Sequence, residues 1–186
     1  MKKITTKQIV TAGILLGLMV LSQIFKNISV FITGPIVNTI LIIATLTLGL
    51  WVGIILSIIA PFTSLLISHA PLMWALFPWL SLAIAIGNII LCVTTYVIYK
   101  RLKRNQALSL PIGMAVGCIL KAAFMGGVIS NCLLVYTKAV QNLKPEALAA
   151  AKVTFSGTQL ITALIGSAIA YVIWLSAGKY LKSLSE

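Results

Sequence analysis

The sequence predicts an all-α integral membrane protein, one domain over residues 1–186 built from six transmembrane helices, with both termini cytoplasmic. Three observations predict it. Hydrophobic residues make up 60% of the chain and charged residues 9%, with a mean hydropathy of +1.11, outside the range of soluble domains. The apolar residues gather in runs of about 20, the length that crosses ~30 Å of hydrocarbon. The basic residues stand at the ends of those runs, so a net charge of +12 suits anionic lipid headgroups rather than nucleic acid. The runs are apolar on all sides, which excludes the two-residue alternation of a membrane β-barrel.

The first helix is expected over 8–25, QIVTAGILLGLMVLSQIF. It follows a basic MKK start, but no small-x-small cleavage site comes after it; SQIFKNISVF stands there, so it reads as an uncleaved span. The second helix, 35–49, is short and meets the third, 50–68, with almost no loop around Gly49. The fourth is expected over 77–99, the fifth over 109–137 and the sixth over 154–178, with no internal repeat and no separate soluble domain. An even number of spans puts both termini on one side. That side carries nine basic residues (Lys2, Lys3, Lys7, Lys100, Arg101, Lys103, Arg104, Lys179 and Lys182), against Lys26, Lys138, Lys144 and Lys152 on the other. The bias assigns the termini to the cytoplasm.

The chain lacks the parts of an engine. It has no phosphate loop; its one Gly-Lys pair, Gly178-Lys179, is followed by Tyr180. Its acids are Glu146, in an outer loop, and Glu186, so none of the six expected spans carries the carboxylate of a proton relay or of many sodium sites. The single histidine, His69, has no neighbouring cysteine or acid, and no serine stands in a nucleophile elbow, so no catalytic residue is expected. Cys92, Cys118 and Cys132 fall within helices, lack metal-ligand spacing and read as small core residues; neither a metal nor a cofactor is expected.

Lys121 stands out, an ammonium near mid-bilayer in a chain whose six expected spans hold no acid. A central lysine costs roughly 2.5–3.5 kcal/mol to insert, so it needs carbonyls, amides, water or a bound anion. Asn88 lies at similar depth, and Ser81, Asn88 and Thr95, seven apart, form a polar stripe expected to face the interior. Two roles are open for Lys121: meeting an anionic substrate, or locking the fourth and fifth helices together through Asn88. On the fifth helix Gly117, Met125, Val128 and Cys132 share its face, with Asn131 turned about 80° away on an ideal wheel. Ser156, Gln159, Thr162 and Gly166 line one side of the sixth. Interhelical hydrogen bonding alone accounts for such groups, Asn88 and Ser81 above all, as well as a ligand does.

The whole chain resembles the substrate-binding S components of energy-coupling-factor (ECF) vitamin transporters. The likeness rests on its size, the six helices, the basic N-terminus, the small-residue first helix, TGPIVNTILIIATLTLG at 33–49, KRLKR at 100–104 and FSGTQLITALIGSAIA at 155–170. It implies a subunit of a prokaryotic plasma membrane that captures a vitamin or related micronutrient outside the cell and docks on a transmembrane coupling subunit driven by two ATPase subunits. The absent carboxylates and phosphate loop agree with borrowed energy. A self-sufficient secondary carrier or facilitator is the alternative, and a cargo-free scaffold a third reading.

The resemblance also sorts the polar residues. It favours substrate contact for Asn131 and Gln159, on the helices where the family builds its pocket. It makes Thr33, in the 26–35 loop that closes over substrate in the family, and Asn38 beyond it, further candidates. The outer stretch SHAPLMWALFPW, 68–79, offers His69 and Trp79, with Trp74 and Trp79 equally suited to an interfacial belt. Residues 138–152 read as a short helix starting near Pro145, a candidate lid. The family's alanine-x-x-x-alanine face on the first helix is broken here, because Leu16 follows Ala12; Gly13 and Gly17 keep the spacing one residue on. Such a pair serves close helix packing, either within the chain or against the coupling subunit.

Overall fold

The computed structural model describes residues 5–68, 71–102, 106–136 and 144–183, and every regular element among them is helical. α1 (Thr6–Ile24) begins at a capping box: the Thr5 hydroxyl accepts from the Gln8 backbone N–H while the Gln8 side chain accepts from that of Thr5. One 3-10 turn, Phe25–Asn27, leads to α2 (Val30–Thr47), whose first turn is capped by the Ser29 hydroxyl. The second helix thus starts five residues before the expected 35. The Ser29 cap outweighs Pro35, which sits inside α2 and removes one backbone donor, a loss that membrane helices tolerate where neighbours compensate. The expected 26–35 loop shrinks to a turn, and Thr33 is a helical residue.

Gly49, at φ +100°, joins α2 to α3 (Leu50–Ser68) in the tight corner read from the sequence; its backbone lies where side-chain-bearing residues are strained. The short α4 (Pro71–Ala75) precedes α5 (Trp79–Arg101). α6 (Gln106–Met125) runs on through a π-helical stretch, Gly126–Leu133, into α7 (Leu134–Tyr136). α8 (Pro145–Phe155) and α9 (Gly157–Ser183) are separated by Ser156. Six stretches are long and apolar enough to cross a membrane: Thr6–Ile24, Val30–Thr47, Leu50–Ser68, Trp79–Arg101, Leu108–Leu133 and Pro145–Leu181.

The closest pairings are α5 with α6, α2 with α9 and α3 with α5, while α2 also touches α1, α3 and α5 and so lies at the centre. Lipid tails are as apolar as leucine, so these pairings rest on close packing and hydrogen bonds. Small residues permit the approach: a β-carbon added at Gly166 of α9 would lie 2.6 Å from the Pro35 carbonyl oxygen, and one at Gly34 would lie 2.8 Å from Thr162. Hydroxyls bind their own helix or bridge to the next, as Thr39 does at 2.8 Å from the Pro35 carbonyl and 2.9 Å from that of Gly166. Towards the chain termini Ile42, Leu91, Leu110, Cys118 and Trp174 form a packed core. At the opposite end Leu65, Met73, Leu80, Met125 and Phe155 form another.

The π-helical turns alter the phase of everything beyond Gly126. A wheel drawn at 100° per residue fails there, because each π turn holds more residues than an α turn. Cys132, expected in the core with Cys92 and Cys118, is exposed, whereas the other two are buried.

Candidate functional site

A cavity of about 300 Å³ opens at the end of the bundle where α1 stops and α2 and α9 begin, away from the chain termini. That volume is at the small end of ligand pockets, ~300–1,000 Å³. Its floor is a hydrogen-bonded cluster from three helices. The Lys121 ammonium of α6 donates to Asn38 Oδ1 of α2 at 2.6 Å and to Asn88 Oδ1 of α5 at 2.7 Å. Asn38 Nδ2 in turn donates to the Gly34 carbonyl at 2.9 Å, which fixes which end of that amide faces the lysine. Two amide oxygens, rather than a carboxylate, therefore compensate the most deeply buried charge among the described residues, and Lys121 keeps 2% of its surface exposed.

The polar stripe of α5 faces inward as expected: Ser81, Asn88 and Thr95 are all buried. Ser81 Oγ and Thr95 Oγ1 have no hydrogen-bond partner among the described residues. They mark the stripe as interior without tying it to a neighbour.

The side wall is built by the end of α1 and its facing helices. Gln23 Nε2 donates to the Ala60 carbonyl of α3 at 3.0 Å, leaving Oε1 enclosed without a partner among the described residues. Lys26, on the 3-10 turn, donates to the Ser64 hydroxyl and to the Met73 thioether, the latter at 3.2 Å. Burial disfavours its charge and pushes the ammonium down from its ordinary 10.5 to about 8. α8 closes another side with Ala151, Thr154 and Phe155, and its end is fastened where Ser130 and Ser156 both donate to the Lys152 carbonyl, at 3.1 and 2.7 Å.

A blind, largely apolar pocket with convergent amides and ammonium groups, set in six membrane spans, is the architecture of a subunit that holds a small solute. The sequence model of the ECF transporter substrate-specific components matches residues 7–177. The chain belongs to this family. No curated protein and no solved structure matches it significantly. The substrate-specific component is the capture subunit of an ECF importer, and that is this protein's place in transport.

Of the residues read from the sequence as substrate contacts, the component brings Lys121, Asn88, Asn38, Thr33 and Gln159 to the cavity. Thr33 arrives by a different route from the one expected, as a helical residue whose hydroxyl donates to the Ser22 carbonyl at 3.2 Å. Asn131 is exposed and absent from the cavity wall, because the π-helical turns rotate it outward. Trp79 is 64% exposed at the start of α5 and also stands outside the wall; the 68–79 stretch reaches the cavity through Leu72 and Met73 instead. His69 lies outside the described residues. On α1, Gly13 and Gly17 point away from the bundle, with nothing within 4 Å of an added β-carbon, while Ala12 is half-buried on the face of Leu16. Among the described residues, then, the glycine pair packs on nothing.

Sequence reading missed Gln23, Lys26, Ser64 and Thr154 in the wall. A signal for the first two was present: a glutamine and a lysine three apart at the end of an apolar helix share one face.

Proposed function

We propose that this component captures a vitamin or related micronutrient in the cavity, at the outer face of a prokaryotic plasma membrane, and passes it on only when docked to a coupling subunit driven by two ATPase subunits. The observation that carries the reading is the blind end of the cavity. Below the Lys121, Asn38 and Asn88 cluster the helices pack on Ile42, Leu91 and Cys118, which leaves a holding site rather than a passage. A chain that holds cargo without a passage needs a partner to release it. The family fixes the kind of partner; the stoichiometry and the membrane come from the resemblance.

The termini take the cytoplasmic side, which sets the cavity outside, because nine of the 14 basic residues flank that end of the spans. α8 then serves as a cover over the outer end, hinged at Ser156 between two helices. The exposed Gly13 and Gly17 offer the coupling subunit a shallow groove on α1. Gln159, half-buried and in the wall, contacts the cargo, while Asn38, Asn88 and Lys121 form the base on which it rests. The chain performs no chemistry on the cargo.

The test is uptake into sealed vesicles. With coupling and ATPase subunits and ATP, a labelled micronutrient that binds the chain should accumulate, and collapse of proton and sodium gradients should leave the rate unchanged. Gradient-driven accumulation by this chain alone would replace the proposal with the secondary-carrier reading.

A further inference from the structure

The two ammonium groups of the cavity differ in what they have left to give. Lys121 donates to two amide oxygens at 2.6 and 2.7 Å and is 2% exposed. Lys26 is half-buried beside the open part of the cavity, and its partners are one hydroxyl and one thioether. An ammonium has three donors, and a thioether is a weak acceptor. Lys26 therefore retains donor capacity that no described residue meets. No carboxylate answers it either: among the described residues the one acid is Glu146, exposed in the first turn of α8.

We propose that Lys26, rather than Lys121, is the anion-binding residue of the capture site, and that the cargo carries a carboxylate or similar compact acidic group that takes the Lys26 ammonium in place of Met73 Sδ. The rest of the cargo lies against the apolar wall of Val30, Val37, Pro61, Leu72, Ile84 and Phe155. The inference rests on the capture reading above. Its physical basis is the cost of an under-partnered charge: burial holds Lys26 near 8, and an anion beside it restores the charged form through a strong charge-assisted hydrogen bond. Lys121 is left as a positioning residue that joins α2, α5 and α6 under the site.

Binding should therefore weaken as pH rises. The acid needs the ammonium, which the empty protein loses through about 8. The elements around Lys26 present Ser64 from α3, Met73 from α4, Asn88 from α5, Thr154 from α8 and Gln159 from α9, none of which titrates in this range. Lys121 is the other titratable side chain in the wall among the described residues. Lys26→Arg separates the two, since a guanidinium stays charged throughout.

The experiment uses the full chain purified in detergent, as wild type, Lys26→Met and Lys26→Arg. Mass spectrometry identifies any copurified small molecule. Calorimetry then measures water-soluble vitamins that carry a carboxylate, each against its uncharged amide, with nicotinate against nicotinamide as the smallest pair. The expected result is an acid bound by wild type, its amide bound at least tenfold more weakly, and a roughly 10- to 100-fold loss in Lys26→Met. Lys26→Arg should hold its affinity at pH 9, where wild type has weakened. If Lys26→Met loses its fold, the pH comparison of wild type with Lys26→Arg decides alone, and parallel weakening overturns the proposal. Unchanged affinity in Lys26→Met also overturns it, as does a phospholipid as the only bound anion. A neutral micronutrient held by all three chains sinks the anion site and leaves the capture reading standing; a wild-type chain that binds no compound of either kind sinks both.

Discussion

α1 and α2 are neighbours of nearly equal length, 19 and 18 residues, and both are apolar enough to span a membrane, yet 17% of an 18-residue stretch of one and 61% of the other is buried. The difference lies in where small and polar residues face. On α2, Asn38, Thr39, Thr45 and Thr47 are buried, and Gly34 lets Thr162 of α9 approach so closely that an added β-carbon would clash. On α1, Gly13 and Gly17 look outward among the exposed Ile9, Ile14, Leu18 and Leu21. In lipid, where apolar surface alone gives no reason for helices to associate, a filled groove marks an internal seam and an empty one marks a face free for a partner.

The largest effect should come from filling the groove that is already occupied. Gly166→Leu places bulk where 2.6 Å separates a new β-carbon from the Pro35 carbonyl, and backbone rather than a flexible side chain must yield. The expected loss is about 3 kcal/mol, the upper end for overpacking, read as a fall in thermal unfolding temperature in detergent. Retention of wild-type stability would mean that the α2–α9 seam is softer than its contacts suggest.

A smaller loss should follow from Asn88→Leu, which takes one of two acceptors from the buried Lys121 ammonium. A hydrogen bond to a charged group is worth roughly 1.5–3 kcal/mol, and the charge left behind stays buried. The double variant Asn88→Leu with Lys121→Met removes charge and acceptor together, so it should recover much of that stability. If the two substitutions simply add, the pair is not coupled and the floor of the cavity is held by packing alone.

These contrasts also show what the sequence could and could not convey. Hydropathy reports the solvent, so the six spans, the tight corner at Gly49 and the buried stripe of Ser81, Asn88 and Thr95 were legible before any coordinates. Lys121 was legible as a problem, a charge in need of partners, and Asn88 as one of them; Asn38 as the second was not, because helix pairing is a tertiary fact. Asn131, which the family resemblance favoured as a contact, stands outside the cavity wall, because Gly126–Leu133 changes the helical period without a change in hydropathy. Lys26 was passed over as a loop cation, since a lysine at the end of a span is the commonest thing in a membrane sequence. Its burial depends on α3 and α4 folding back over the end of α1.

The smallest effect on stability should come from filling the empty groove, and there the comparison is sharpest. Gly17→Leu on the outer face of α1 meets no neighbour, and a leucine is a better helix former than a glycine by roughly 0.8 kcal/mol. Thermal stability should stay level or rise slightly, and binding to the isolated chain should be unchanged, because Gly17 takes no part in the cavity wall. Uptake in vesicles with the coupling and ATPase subunits should nevertheless collapse, since bulk at this position keeps a second helix backbone from closing on α1. Gly13→Leu, one turn away on the same face, should behave alike. Loss of binding in step with uptake would show that the groove supports the site from within the chain. Normal uptake with leucine at both positions would move the docking face away from this side of α1.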